Sequence, residues 1–274
     1  MTYVAVNETW QQDPETPYQC VVSPGRLGNV MFGYASSLGV AAMANRTMVV
    51  DPGNTLLPHF KIKAVVDCDN TLCRSPKKKS QGSCCIFRPN LLEPEVDQPV
   101  LKVGTFLQSW RFFAHVEADI RRQFTAYGST AKRAADTMRG LHREFDTAEG
   151  AARKEAEDLP AQSMDKANLI SRKRRTRKEH SKVVPVAGAH CRYAGSTDRA
   201  VDLVVLGSCD HFIMSVGTFG WWAGWLTGGT VVYYKYPAKE GSKLRRKMNY
   251  DDHDFFPPNW IPMEWREDSR VKNK

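Results

Sequence analysis

The amino-terminal end of this chain lacks the features of a targeting segment. Its first residues, MTYVAVNETWQQDPETPYQ, contain neither a basic n-region nor an apolar h-region. We therefore expect no signal peptide or membrane anchor within this sequence. Long apolar runs are scarce as well, since only residues 212–234 have no charge over a length that can span a bilayer. Five glycines divide that run, which favours a buried strand, loop, short helix and strand.

The cysteine-rich stretch lacks the spacing of a zinc site. Cys68, Cys73, Cys84 and Cys85 lie close together, with Pro, Gly and Ser between them, but no CxxC pair and no histidine is among them. Disulfides are therefore favoured over a metal, the competing interpretation, and we predict no metal site. Two sequons, at Asn7 and Asn45, are compatible with glycosylation in a secretory lumen.

Acidic residues are too few to balance the basic ones, and the excess is local. The formal net charge is +9, and residues 129–182, with fourteen Lys/Arg and nine Asp/Glu, account for +5 of it. This segment shows no sustained apolar stripe, which predicts a solvated helix or a disordered segment. Its basic run, residues 172–178, has no aromatic side chains for base stacking, so nucleic-acid binding is only a remote alternative to a charged linker.

What the sequence does contain is enough for a globular α/β protein. The chain has 274 residues, of which 42% are hydrophobic and 10% aromatic. An apolar run at residues 18–22, a helical pattern from Asn29 and a second apolar run at residues 47–50 predict strand, helix and strand. This βαβ opening argues for a parallel sheet with helices packed on it.

The carboxyl-terminal half is also predicted to alternate helices and strands. Four elements are predicted there: a helix at residues 198–206 capped by Ser196 or Thr197, a strand at 211–214, a helix at 219–226 and a strand at 230–234. We divide the chain into an amino-terminal tail (1–17), an α/β region (18–128), a charged helical or disordered insert or replaced segment (129–182), and a second α/β region (183–274).

Two glycine-containing turns lead into predicted helices. Gly25 and Gly28 flank Arg26, and Asn29 follows; a second turn holds Ser215 and Thr218 around a glycine. The first N–H groups of a helix have no partner within it and lie at the positive end of its dipole. Such turns can hold an anion without a metal, although plain βα connections have the same form.

Four stretches carry a family resemblance. GRLGNVMFGYA resembles the GRLGNQMFQYA motif of the α-1,2-fucosyltransferases, which include the galactoside 2-fucosyltransferases. FLQSWRFF, DLVVLGSCDHFIMSVGTFGWWAGWLTGG and PPNWIPM match further family motifs in the same order. The resemblance implies a GT-B-like fold of two Rossmann-like domains. It also implies inverting transfer of fucose from GDP-fucose to the 2-hydroxyl of a terminal galactoside, without a metal ion or cofactor, by a type II Golgi membrane protein acting on glycan acceptors in the lumen.

The resemblance also implies roles for particular residues. Ser215, Thr218 and Phe219 are expected at the donor diphosphate, Asp202 near the nucleoside, and Arg26 and Asn29 at the cleft between the domains. The neighbouring residues Trp221 and Trp222 are assigned to core packing, because adjacent side chains on a short helix cannot both face one ligand.

One family motif is absent. The HVRRGDY-like motif, whose arginines are expected to contact the donor phosphates, has no counterpart; Arg192, after an apolar run at residues 183–187, and Arg143 are the candidate substitutes. The alternative to an active enzyme is therefore an inactive fucosyltransferase-like protein that binds GDP or glycan weakly. No catalytic base is assigned.

Overall fold

The computed structural model describes residues 17–21, 24–74, 76–79, 84–95, 97–104, 106–157, 196–214, 216–248 and 253–264. Over these residues the protein has mixed α/β structure with two sheets, and every strand pair in both sheets is parallel. This confirms the predicted α/β class. Parallel neighbours require crossover connections, and α1 (Leu27–Met43) provides the first of them.

The first sheet has five strands around a central β1. Its strands are β1 (Tyr18–Cys20), β2 (Thr47–Val50), β3 (Val65–Val66), β4 (Lys77–Lys79) and β5 (Val100–Val103), in the order β3-β2-β1-β5-β4. The predicted βαβ opening is confirmed, since β1 and β2 pair in parallel across α1. Strand β2 has the predicted bounds, and β1 ends two residues earlier than predicted.

Helix α1 is buried on nearly all sides. Its small and apolar residues allow this, and even Ser36 is fully buried, with its hydroxyl donating to the Leu107 carbonyl at 2.9 Å. Gly39 lies against a 3-10 turn, Trp110–Phe112; an added Cβ would be 1.9 Å from the Phe112 carbonyl oxygen. Two further 3-10 turns are Pro89–Leu91 and Ala114–Val116.

The second sheet has three strands: β6 (Phe212–Met214), β7 (Val231–Tyr234) and β8 (Ile261–Met263). Helix α4 (Arg199–Gly207) precedes β6, and α5 (Thr218–Thr227) connects β6 to β7 and ends at Gly228, which adopts φ +72°. Within the uncharged run at residues 212–234, the described residues form a strand, a helix and a second strand, as predicted. Among the described residues, no helix is both long and apolar enough to cross a membrane.

One aromatic cluster joins the two sheet regions. Trp221 and Trp222 of α5 are fully buried, and their rings lie 4.5 Å and 5.1 Å from the ring of Phe32 on α1. Phe113 stacks on Trp222 at 5.6 Å, and Phe255 stacks on Phe32 at 6.1 Å. The prediction that both tryptophans pack in the core is confirmed.

The charged middle segment begins as a helix with an apolar face. Helix α3 (Gly128–Glu157) follows α2 (Glu117–Gln123), and Ala134, Met138 and Leu141 pack against α4. We predicted no sustained apolar stripe in this segment, and the structure shows a short one over residues 134–141. The stripe is short and starts at a small residue, Ala134, so the surrounding charges concealed it. Residues 158–195 and the basic run at 172–178 lie outside the described residues.

The amino-terminal cap of α4 also differs from the prediction. Asp198, and neither Ser196 nor Thr197, is the cap: its carboxylate accepts from the N–H groups of Ala200 at 2.9 Å and Val201 at 3.5 Å. Ser196 supports the cap instead, because its hydroxyl accepts from the N–H of Asp198 at 3.0 Å. A carboxylate at the amino-terminal end of a helix accepts hydrogen bonds from the N–H groups and also interacts favourably with the helix dipole. An uncharged hydroxyl interacts more weakly with the dipole.

Asp198 is expected to stabilise the fold measurably. Partial burial opposes its charged form, but the N–H groups of Ala200 and Val201 and the charges of His59 and Arg133 lower the pKa of Asp198 below its usual value. Asp198→Ala should lower the free energy of unfolding by about 1–2 kcal/mol at pH 7, whereas Asp198→Asn, which keeps an acceptor oxygen but loses the ion pair with Arg133 (2.7 Å), should cost about 0.5 kcal/mol.

Because the folded-state pKa is the lower one, this stabilisation is present above the unfolded-state pKa of about 4 and is lost as the pH falls through the folded value. Urea unfolding at pH 7 and pH 3 tests this. The difference between the wild type and Asp198→Ala should shrink at pH 3; a constant difference contradicts the assignment of Asp198 as a charged cap.

The cysteines form two disulfides among the described residues. Cys73 pairs with Cys20 of β1, and Cys84 pairs with its neighbour Cys85, whereas Cys68 is an exposed free thiol. Disulfide bonding of the cluster is thus confirmed, but the cluster is not self-contained, because one partner comes from the central strand of the first sheet.

Candidate functional site

The first candidate turn forms the start of α1. Gly25 adopts φ +114°, a conformation that favours glycine, and the extended residue Arg26 is the amino-terminal cap. Arg26 makes no side-chain capping bond, and its side chain is exposed. The guanidinium therefore stands beside the positive end of the helix, where it can contact an anion.

The second candidate turn forms the start of α5. Gly217 is its cap at φ +120°, and apart from its chain neighbours no heavy atom of the described residues lies within 4 Å of the position that a Cβ would take. Thr218 and Phe219 follow as the first helical residues. The turn lies directly beyond the carboxyl end of β6, the position at which open α/β sheets bind ligands.

The two helix starts touch each other. An added Cβ on Gly28 would be 2.7 Å from the Phe219 nitrogen, so the backbones of α1 and α5 are in contact there. The Thr218 hydroxyl donates to the Asn29 side-chain oxygen at 2.9 Å, and the Trp222 indole donates to the Gly28 carbonyl at 3.1 Å. The structure thus brings together four of the predicted site residues: Arg26, Asn29, Thr218 and Phe219.

Asn29 connects three segments of the chain. Its side-chain oxygen accepts from Thr218 and also from the Gln108 amide, at 3.2 Å. Because this oxygen already has two donors, Asn29 holds α1 and α5 in register, a role that the sequence did not reveal. Gln108 lies within the FLQSWRFF match, and its polar side chain next to Leu107 was the available signal.

A pocket opens in front of the α5 start. This α5 pocket has a cavity volume of about 90 Å³ and is partly open to solvent. Most of its wall is apolar or aromatic, and Gln108 and Thr218 provide side-chain amide and hydroxyl groups. The lining residues are Cys85, Gln108, Met214, Val216, Gly217, Thr218, Tyr233, Tyr234, Pro237, Leu244, Met248, Phe255 and Phe256.

A basic segment borders the α5 pocket. Residues 239–247 contain five Lys/Arg and one Glu, and α6 (Lys243–Arg246) forms part of the segment. Leu244 and Met248 line the pocket, so the cations lie between and beside lining residues. The α5 start and this segment therefore place positive electrostatic potential on two sides of one pocket.

The pocket wall contains one titratable phenol of note. Burial raises the pKa of Tyr233, and the nearby charge of Lys235 lowers it by a smaller amount. The phenol is therefore protonated at neutral pH and can donate a hydrogen bond. Among the described lining residues, the pocket has no carboxylate and no imidazole.

The remaining predicted site residues lie elsewhere or outside the described residues. Asp202 lies in the first turn of α4, where its carboxylate accepts from the Ser196 N–H at 2.8 Å; no hydrogen bond in the described part of the chain joins it to Thr218. Asn45 is exposed in the turn between α1 and β2, as a glycosylated asparagine must be. Ser215, Arg192 and Asn7 lie outside the described residues, whereas Arg143 is exposed on α3.

Two all-parallel sheets, with a glycine-led helix start beyond a strand end, are consistent with a glycosyltransferase fold. The family model described as "Glycosyl transferase family 11" matches residues 180–264, which include α5 and most of the pocket wall. The resemblance to the fucosyltransferase family is confirmed.

The similar proteins have consistent names. Galactoside alpha-(1,2)-fucosyltransferase 1 of Lagothrix lagotricha is 27% identical over 86% of this chain and 72% of its own length, and the Homo sapiens protein of that name is 28% identical over the same shares. Galactoside 2-alpha-L-fucosyltransferase SEC1 of Bos taurus is 27% identical over 86% of this chain and 71% of its own length. No solved structure is significantly similar to the chain.

Proposed function

We propose that this protein transfers fucose from GDP-fucose to the 2-hydroxyl of a terminal galactoside, forming an α-1,2 linkage with inversion. The relatives named above are galactoside fucosyltransferases, which supports this reaction. The observation that carries the proposal is the joined pair of helix starts, in which Thr218 and Asn29 hydrogen-bond beside an open pocket.

The charge at this site suits a diphosphate leaving group. When the acceptor oxygen attacks the anomeric carbon, the bond to the diphosphate breaks and negative charge develops on its oxygens. The free N–H groups of the α5 start are oriented toward such charge before the reaction begins. Arg26 and the basic segment add cations, so we propose that the reaction proceeds without a metal ion or cofactor.

The wider arrangement follows from the same proposal. The second sheet with α5 forms the donor side, the first sheet with α1 forms the other half of a GT-B-like pair, and Asp202 contributes on the nucleoside side. The acceptor glycan approaches from the side opposite the diphosphate, as inversion requires. We place the reaction in the Golgi lumen, where Asn45 can carry a glycan and disulfides are stable.

Thr218→Val tests the site with little change in shape. Removing the hydroxyl breaks the bond to Asn29 and should lower kcat/KM for GDP-fucose about tenfold, since one hydrogen bond at this partly buried contact contributes about 1–1.5 kcal/mol. The assay measures GDP release from GDP-fucose with a β-galactoside acceptor.

Thr227→Val is the matched control. It removes a hydroxyl from the other end of the same helix, where the bonds reach Ala223 and Leu206, and it should leave kcat/KM unchanged. Folded wild-type protein that binds GDP but releases none from GDP-fucose contradicts the enzyme proposal and supports the inactive fucosyltransferase-like alternative.

A further inference from the structure

The Cys84–Cys85 disulfide forms part of the α5 pocket. Cys85 is almost fully buried and lines the pocket, and it is bonded to the residue directly before it in the chain. A disulfide between neighbouring residues closes a small ring that contains the peptide unit between them. Such a ring restricts the backbone locally, whereas the Cys20–Cys73 disulfide closes a long loop around the first sheet.

One set of contacts runs from this ring to the helix starts. The Gln108 N–H donates to the Cys84 carbonyl at 2.6 Å, and the Cys85 sulfur lies 3.7 Å from the Gln108 side-chain oxygen. The amide nitrogen of Gln108 in turn donates to Asn29, which accepts from Thr218. The position of the ring therefore determines where Gln108 lies, and Gln108 supports the contact between α1 and α5.

A second contact runs from the ring to the basic segment. Cys85 forms a parallel backbone bridge with Met248, which follows α6 and lines the pocket beside Leu244. Two residues further along, the Phe87 N–H donates to the buried carboxylate of Asp254 at 2.9 Å, just before the lining residue Phe255. The ring thus lies between the α5 start and the basic segment, which are the two sides of the pocket that carry positive potential.

We propose that the Cys84–Cys85 disulfide is a redox-sensitive positioning element that sets the affinity of the α5 pocket for nucleotide. A dithiol reductant opens it: the sulfur–sulfur bond breaks, the dithiol becomes a disulfide, and its two electrons and two protons convert Cys84 and Cys85 to thiols. The freed peptide samples more conformations. Gln108 and Met248 lose their fixed neighbours, and the pocket loses its arrangement.

The choice of nucleotide binding as the measurement rests on the proposed function. The experiment is therefore designed to distinguish failure of the disulfide proposal from failure of the proposed function. The dissociation constant for GDP is measured by calorimetry on oxidised wild type, on wild type treated with a dithiol and alkylated, and on the double variant C84S/C85S. Mass spectrometry identifies which cysteines are alkylated. Reduction should weaken GDP binding about five- to tenfold, and KM for GDP-fucose should rise by the same factor while kcat changes less than twofold.

The double variant should bind GDP as weakly as the reduced wild type and should not respond to dithiol. A response of C84S/C85S equal to that of the wild type overturns the proposal and assigns the effect to Cys20–Cys73. Equal GDP affinity of the oxidised wild type, the reduced wild type and the double variant also overturns the proposal, but it does not contradict the proposed function. Oxidised wild type that binds no GDP overturns both. If the variant does not fold, the alkylation pattern of the wild type still decides the question.

Discussion

Gly39→Ala is expected to lower the free energy of unfolding by about 3 kcal/mol, near the upper end of the usual cost of overpacking a core. The new Cβ would lie 1.9 Å from the Phe112 carbonyl oxygen and 2.9 Å from the Phe112 carbonyl carbon. Both are backbone atoms, so the 3-10 turn must move as a unit. The gain in helix propensity, at most about 1 kcal/mol, offsets only part of this cost.

The turn has little freedom to move. Ser109 is fully buried before it, and Arg111 within it forms an ion pair at 2.9 Å with Asp254, whose side chain is almost fully buried. Moving the turn strains these contacts as well as the packing of Phe112 and Phe113. Urea unfolding monitored by tryptophan fluorescence measures the change.

Gly140→Ala is the control for Gly39→Ala. Gly140 also lies inside a helix, α3, but among the described residues no heavy atom outside the neighbouring helix backbone lies within 4 Å of its expected Cβ position. Alanine there should raise the free energy of unfolding by about 0.5–1 kcal/mol through helix propensity alone. If both variants change stability by the same amount, the close approach at Gly39 is not the cause.

Gly28→Ala is expected to reduce GDP affinity at least tenfold and to cost about 1–3 kcal/mol of stability. The new Cβ would be 2.7 Å from the Phe219 nitrogen and 2.8 Å from the Thr218 hydroxyl oxygen. The α1 and α5 starts must separate to admit it. The bonds from Thr218 to Asn29 and from Trp222 to the Gly28 carbonyl both cross this contact.

Val205→Ala is the control that distinguishes a loss of GDP binding from a loss of stability. Val205 lies in the small cluster between α3 and α4, away from the α5 pocket, and its truncation should cost about 2 kcal/mol. Its GDP affinity, measured by calorimetry under conditions where all proteins are folded, should equal that of the wild type. Equal affinities of Gly28→Ala and the wild type contradict the assignment of the helix contact to the binding site.

The predictions that succeeded depended on local patterns. The βαβ opening and the division of residues 212–234 follow from alternating apolar runs and glycines, and these act over a few residues. The cap of α4 failed for a local reason as well: three capping residues stand in a row, and only the chain path selects Asp198. The apolar face of α3 was not recognised because Ala134 is a small residue among charged ones, and its burial depends on the packing of α4 against it.

The candidate site was predicted in part. Both glycine turns and Thr218 were found because each turn precedes a helix and the family motifs contain them. Gln108 and the basic segment were missed, since neither has a periodic or motif-level signal of its own. Their importance comes from being near the α5 start, which is a property of the tertiary structure.

The sequence by itself determined the α/β class, the two helix starts with their glycines, and the resemblance to the fucosyltransferase family. Only the tertiary structure decided that Asn29 meets Thr218 across 189 positions, that Cys73 pairs with Cys20, and that Cys85 lies beside Met248. Backbone preferences and hydrophobic periodicity are set by neighbouring residues, so they can be recognised from the sequence. Contacts between distant segments depend on how the sheets and helices pack. Here the aromatic core between α1 and α5 determines that packing.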